Sequence, residues 1–346
     1  MANVLCGASE FSRLPHTRLR ATANSRSLRH AVTLSLAVWV ASFMASAAAQ
    51  QGYPNRSIRL IIPFASGSAT DTSARLYAVE LSKQIGQQVV PDNRAGAGGA
   101  IGMQALVKSA PDGYTIAYAG TGPLAINRSI TPNLPYDFEK EVQAISQAAS
   151  GPLFLAISPS LPVKSVKELI ALAKAKPGQL ANGSSGTGTV GHLAGEYFKI
   201  LSGIDILHVP YKGGAQAATD AMSGFVQHLF DPASSVAPYI RTGRLRGLAV
   251  TGAIRTKAFP DLPTVAEAGV PGYDVTTWGG IIAPTGVPMA IVTRLSEEMR
   301  KAAASAFVIE RYAPLGTDPV ASTPEEFTAL IRGNSPSGPQ WLNALG

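Results

Sequence analysis

Apolar residues along this chain fall in short runs that alternate with helical stripes. Residues 58–64 (IRLIIPF) form a compact, isoleucine-rich run, which predicts a buried strand. In the following stretch, TDTSARLYAVELSKQIG, Ala74, Tyr77, Leu81 and Ile85 share one stripe at helical spacing. QQVVPDN, a glycine loop, a further helix and YTIAYAG come next. The order β-α-β-α-β is that of a parallel sheet covered by helices.

A second series begins near Leu153. It reads strand LFLAIS, helix SVKELIALAKA, strand QLANGS, helix HLAGEYFKILS, strand DILHVPY, helix AQAATDAMSG, and strands VQHLFD and LRGLAV. Ser165 with Glu168, Thr264 with Glu267, and Thr323 with Glu326 have the spacing of capping boxes that open helices. Pro324 takes the first helical position after Thr323, where a missing N–H costs nothing. No Gly/Ser linker separates the two series. The joins at 146–158 and 273–284 are extended instead, which predicts two strands crossing between two α/β lobes and a cleft that closes by hinge rotation.

The N-terminal segment breaks this alternation. Residues 1–30 carry five arginines and one acid, followed by the apolar run AVTLSLAVWVASFM and the small-residue stretch ASAAAQQ. A run of fourteen residues is shorter than the roughly 20 that a membrane span needs. Ala47-x-Ala49 fits a signal-peptidase site, so residues 1–49 read as a cleaved secretory signal, with an uncleaved anchor as the alternative. Without five of the 29 cationic and one of the 22 acidic residues, the net charge falls from +7 to +3. The basic balance therefore belongs largely to targeting and does not argue for nucleic acid. Cys6, the single cysteine, leaves with the signal, so the mature chain has no disulfide, thiol nucleophile or cysteine metal ligand.

Three glycine-rich loops follow strands and precede helices: PFASGSATD (63–71), NRAGAGGAIG (93–102) and SSGTGTVGH (184–192). Ligands of open α/β sheets bind beyond the carboxyl ends of the strands. There the free N–H groups and dipole of a helix N-terminus favour an anion. Gly186, Gly188 and Gly191 spell G-x-G-x-x-G, the dinucleotide fingerprint. A dinucleotide site also needs an acid at the end of the next strand, whereas Asp205 precedes its strand, which ends in Tyr211-Lys212. The fingerprint alone therefore does not support a nucleotide, and no cofactor is expected. His192, His208 and His228 lie too far apart in sequence for a compact metal motif. Hydrolase chemistry is the alternative class. However, NGSSGTG lacks the G-x-S-x-G elbow, and Ser185 and His192 lie about two helical turns apart.

Several longer stretches carry a resemblance: YPNRSIRLIIPFASGSATDTSARL, NRAGAGGAIG, PDGYTIAYAG, LPYDFEKE, HVPYKGG and PTVAEAGVPGY. With them the chain, from Tyr53 to about Ile331, resembles the Bug family of periplasmic solute receptors of tripartite tricarboxylate transporters. The resemblance implies an α/β fold of two Rossmann-like lobes, like the type II periplasmic binding proteins. Lobe 1 would comprise 50–151 plus 277–346, and lobe 2 would comprise 152–276. It further implies a small carboxylate in the cleft (a dicarboxylate, tricarboxylate, acidic amino acid or aromatic acid), a periplasmic monomer, and membrane transporter subunits as partners.

Carried over by residue, Phe64, Ala65, Ser66, Ser68, Thr70 and Asp71 would cradle one carboxylate, partly through water. Ala97, Gly98 and Gly99 would line a second side. Ser184, Ser185, Thr189 and His192 would meet the far end of the ligand, and Tyr211 and Asp231 would close the rim. Asp71 also reads as a first-turn acid that stabilises its helix. Asp231 reads equally as an acceptor for a ligand amino or hydroxyl group or as a helix cap. His192 reads as a neutral ligand donor or as a structural hydrogen-bonding group. The family loop is closer to Pro-Gly-Gly-Gly-Thr-Asp, and here Ser66, Ser68 and Ala69 replace part of it. The tail GNSPSGPQWLNALG also departs from the family, with Gly and Pro where a charged helix usually continues.

Overall fold

The computed structural model describes residues 52–333. The secretory-signal reading of 1–49 and the atypical tail after Gly333 lie outside the described residues.

The first series forms β1 (Ile58–Ile62), α1 (Ala69–Ile85), β2 (Val89–Asn93), α2 (Ala100–Val107) and β3 (Thr115–Gly120). The apolar stripe places α1: Ala74, Tyr77 and Leu81 are buried, and Gly86 ends the helix in the left-handed conformation. The long strand β4 (Val142–Ile157) then leads into the second series. That series comprises α3 (Val166–Ala175), β5 (Ala181–Ser184), α4 (Val190–Ser202), β6 (Leu207–Pro210), α5 (Gly214–Ser223), β7 (His228–Pro232), α6 (Ala233–Arg241) and β8 (Arg246–Val250). The chain closes with β9 (Thr276–Pro284), α7 (Met289–Ala303), α8 (Ala306–Tyr312), β10 (Asp318–Pro319) and α9 (Pro324–Ile331).

The strand order is β2-β1-β3-β9-β4-β7-β5-β6, with β8 and β10 also paired to β4. β1, β2 and β3 are mutually parallel, as are β7, β5 and β6, in keeping with the alternating pattern. The two crossing strands are not parallel to these. β9 runs antiparallel to β3, and β4 runs antiparallel to β9, β7 and β8. From Val142 to Pro152 β4 pairs with β9, and from Leu153 to Ile157 it pairs with β7. A single strand thus leaves one Rossmann-like lobe and enters the other, giving an α/β architecture of two lobes, a hinge and a central cleft.

Each lobe has its own apolar filling. Ile58, Leu60, Tyr77, Leu81, Ile281, Leu295 and Tyr312 belong to one core, whereas Leu155, Phe198, Phe230, Leu248 and Tyr273 belong to another. Thr251 ties the crossings together. Its Oγ1 accepts from Leu153 N at 2.8 Å and donates to the Val275 carbonyl at 2.6 Å. Its backbone N donates to the Leu153 carbonyl and its carbonyl accepts from Val275 N, so every polar group of this fully buried residue is used.

The capping predictions divide. Thr323 and Glu326 form the reciprocal box with Pro324 at the first helical position, and Ser165 accepts from Glu168 N. Thr264 and Glu267 make both reciprocal bonds but open only a single turn. Gly269, at φ +119°, and Pro271 stop the helix before it propagates.

Candidate functional site

Each of the three predicted loops lies at the carboxyl end of its strand. After β1 the chain turns at Gly67 (φ +80°), and Ser68 caps α1 by accepting from Asp71 N. After β2 a tight turn over Ala97–Gly99 holds Gly96, Ala97, Gly98 and Gly99 all at positive φ. After β5, Gly186 and Gly188 turn at positive φ, and Thr189 caps α4 by accepting from His192 N.

Loop tips from the two lobes meet. The Cβ that Gly98 lacks would come 2.6 Å from the Thr187 carbonyl, and that of Gly188 would come 2.6 Å from Asn127 Oδ1. Asn127 Nδ2 donates to the Gly98 carbonyl at 3.1 Å. Gly122 lies against the Gly188 carbonyl, and Gly213 lies against Ala65. The glycines therefore serve close backbone approach across the cleft.

This arrangement encloses two adjoining chambers and an outer one. The central chamber is lined by Phe64, Ser68, Ala69, Thr70, Ser185, Thr189, Val190, Gly191 and Asp231, together with Gly120–Pro123, Pro232 and Thr277. The rear chamber shares Ala69, Thr70, Gly120, Pro232 and Thr277 with it. The outer chamber opens between Ala97, Gly98 and Gly99 on one side and Ser185, Tyr211 and Lys212 on the other, with Phe64 between it and the central chamber.

The helix starts of α1 and α4 therefore face each other across the central chamber. By helix geometry, the first N–H groups of each have no intrahelical acceptor. The hydroxyls differ in availability. Thr189 Oγ1 is occupied as the α4 cap and by its own bond to the Gly186 carbonyl at 2.7 Å. Ser185 Oγ donates to Asp231 Oδ1 at 3.1 Å. Thr121 Oγ1 accepts from Trp278 N and approaches Thr277 Oγ1 at 3.3 Å. Thr70, at the start of α1, lines both the central and the rear chamber.

Five of the expected residues do not line these chambers. Ala65 and Ser66 belong to the β1 loop, but Ala65 lies against Gly213 of the other lobe and Ser66 is exposed. The Asp71 carboxylate is taken up by Gly67 N, Arg75 Nε and Asn93 Nδ2, each at 2.9 Å. Burial pushes its pKa up, and the bonds from Arg75, Gly67 and Asn93 more than reverse this, so it lies below the usual carboxylate range. Its oxygens are thus bonded to its own loop and helix and to the end of β2.

Ser184 is 1 % exposed, and its Oγ lies 2.7 Å from His208 Nε2. His192 stacks on His208 with ring centroids 4.0 Å apart, and its Nδ1 accepts from Gly188 N. Both imidazoles are kept neutral. Burial lowers His192, and burial together with the neighbouring His192 lowers His208 to about 4. The His192 ring is thus engaged by its own loop and by His208.

Tyr211 lines the outer chamber, with its hydroxyl donating to Asp220 at 2.7 Å. Asp231 is 3 % exposed and caps no helix. Burial pushes its carboxyl up to about 6.

Sequence reasoning missed Gly120–Pro123, Pro232 and Thr277. A signal for the first group was present, because TGP directly follows the end of strand YTIAYAG, where ligands gather. Thr277 lies on a crossing strand, which strand-end rules do not address.

The G-x-G-x-x-G stretch keeps one Rossmann feature. Gly191 packs α4 onto β7 so closely that a Cβ would overlap the Phe230 carbonyl oxygen. Asp205 stands beside Gly178, before β6, away from the loop. Among the described residues no cluster of three or more His, Cys, Asp or Glu is arranged to hold a metal ion. The Ser185–His192 pair weighed for hydrolase chemistry is not formed, since Ser185 is bonded to Asp231 and His192 to Gly188.

Comparison with known proteins agrees with this architecture. The tripartite tricarboxylate transporter family receptor profile, TctC, matches residues 73–342. The protein BugT of Bordetella pertussis is 37 % identical over 280 residues, covering 81 % of this chain and 86 % of that protein. The structure of Rpa4515 of R. palustris with adipate is 37 % identical with a TM-score of 0.79, covering 81 % of this chain and 94 % of that one. MatC of Rhodopseudomonas palustris with bound malate is 27 % identical with a TM-score of 0.80, covering 85 % of this chain and all of the other. Two hinged lobes, a cleft walled by helix starts, and similarity along most of the sequence lead to one assignment: the chain belongs to the TctC receptor family of tripartite tricarboxylate transporters, the family of the Bug solute-binding proteins.

Proposed function

We propose that this protein captures a small carboxylate between its lobes, in the central chamber and the rear chamber that adjoins it. The observation carrying this reading is the meeting of two helix N-termini, α1 from one lobe and α4 from the other, across a chamber with no Lys or Arg among the described residues that line it. Oriented peptide N–H groups hold an anion without a counter-charge. The adipate and malate bound by Rpa4515 and MatC support the same ligand class. Thr70, Ser68, Ser185 and the backbone at 190–191 contact the solute in this reading, and Phe64 and Asp231 shape its pocket. Ala97, Gly98, Gly99 and Tyr211 border the entrance, and Thr189 holds the α4 start in place. Asp71, Ser184 and His192 support the loops from within, and Ala65 meets Gly213 of the other lobe.

Residues 50–151 with 277–346 form one lobe and 152–276 the other, rotating on β4 and the 273–284 crossing. The leader 1–49 directs export and is removed, leaving a monomeric periplasmic receptor that delivers solute to the membrane subunits of a tripartite tricarboxylate transporter. A thermal-shift screen of mono-, di- and tricarboxylates, acidic amino acids and aromatic acids tests the reading. A binder at 100 times its Kd adds about 2.7 kcal/mol of stability. No shift with any of these classes would overturn it.

A further inference from the structure

Asp231 is the one titratable residue among the described residues that line the central chamber. Its Oδ1 accepts from Ser185 Oγ at 3.1 Å, and its Oδ2 is buried without a hydrogen-bond partner. The carboxylate packs on the backbone of Gly214 at the start of α5, where a Cβ would overlap it. Ser235 of α6 adjoins it, and its hydroxyl, like that of Ser185, lowers the carboxyl's pKa against the larger upward push of burial. From β4 its register neighbour is Phe154. Across the cleft, Asp71 is neutralised by Arg75 at 2.9 Å. Lys212 and Tyr211 line the outer chamber, and Tyr211 donates to Asp220. Among the described residues no ionised side chain acts on Asp231.

A carboxylate entering this chamber therefore puts a second negative charge beside a buried, uncompensated first one, and like charges at short range cannot both stay ionised cheaply. The hydrogen-bond polarity is also wrong for an anion. With Asp231 ionised, Ser185 spends its single O–H on Oδ1 and shows the chamber only lone pairs. A protonated Asp231 donates to Ser185 Oγ instead and frees the serine O–H for the solute. We propose that Asp231 takes up one proton from solvent as the cleft closes on a carboxylate, turning Ser185 from acceptor to donor. This rests on the reading of the cleft as a carboxylate site. Burial already brings the Asp231 carboxyl up to about 6, so the proton is within reach near neutral pH. Binding that takes up a proton tightens as pH falls.

Calorimetric titration of the protein with adipate, and with malate as a second probe, in buffers of low and high ionisation enthalpy tests this. Near pH 7 the expected uptake is close to one proton per adipate. Affinity is expected to rise at least about tenfold from about pH 7.5 to pH 6. In Asp231→Asn both the uptake and the pH dependence should vanish. If that variant does not fold, the wild-type titration decides alone. Adipate binding with no proton exchange and a level pH profile would overturn the proposal, as would an Asp231→Asn variant with undiminished uptake. Failure of every carboxylate to bind would instead remove the underlying site reading, and this inference with it.

Discussion

Gly191, in the first turn of α4, sits directly against the backbone carbonyl of Phe230 on β7, with no room between them for a methyl group. This contact fixes how near the helix start comes to the cleft, since Val190 and Gly191 both line the central chamber. Gly191→Ala adds a Cβ that only a backbone shift can relieve. Overpacking of this kind costs about 1–3 kcal/mol, more than the helix-propensity gain of alanine returns. Urea unfolding should show that loss, and an unchanged midpoint would mean that α4 is not seated as described.

Thr251 offers a test of the crossing. Thr251→Val keeps the shape but leaves Leu153 N–H and the Val275 carbonyl without their hydroxyl partner in a fully buried place. A buried unsatisfied group costs about 1–3 kcal/mol. The variant should lose about 2 kcal/mol, whereas Thr251→Ser should recover much of it. Equal stability of the wild type and the valine variant would show that the hydroxyl does not hold the crossings together.

His228 gives lobe 2 a pH dependence of its own. It is 1 % exposed, neither ring nitrogen has a hydrogen-bond partner, and burial lowers its pKa to about 4. The unfolded chain takes the proton near pH 6.5, so its stabilising contribution is complete above that value and is lost as pH falls toward 4. The slope is about 1.4 kcal/mol per pH unit, roughly 3 kcal/mol in all. His228→Leu should flatten this part of the stability profile. A variant with the wild-type slope from pH 6.5 to 4 would assign the effect elsewhere, for instance to His208.

Two threonines at the helix starts separate binding from folding. Thr70 lines the chambers, whereas Thr189 closes its own loop. Thr70→Ala should weaken a bound carboxylate about tenfold, the worth of one hydrogen bond to a charged group, and leave the melting of the free protein nearly unchanged. Thr189→Ala should cost about 1 kcal/mol of stability through the lost cap. Calorimetry and thermal melts on both variants check the contrast, and an unaltered affinity in Thr70→Ala would remove that hydroxyl from the site.

What the sequence made legible was local. Alternating runs predicted the lobes, and glycine and hydroxyl residues between strand and helix marked the three loops. The extended joins at 146–158 and 273–284 anticipated β4 and β9. Side-chain direction was not legible. His192 is three residues beyond its cap, but its ring turns inward to stack on His208, a partner supplied by β6. Asp71 is drawn to Arg75 one helical turn on and to Asn93 at the end of β2. Thr277 reaches the chamber because β9 pairs antiparallel with β3 and β4, a long-range pairing that no local pattern encodes. The capping signature at Thr264 was real, but the glycine and proline behind it allowed one turn only.

The most direct test of the central claim is a crystal structure of the protein grown with a carboxylate from the thermal-shift screen. The solute is expected between the lobes, with one carboxylate within hydrogen-bond distance of the α1 or α4 N-terminal N–H groups and of Thr70 or Ser185. A well-ordered solute bound on an outer face, with only water between those helix starts, would contradict it.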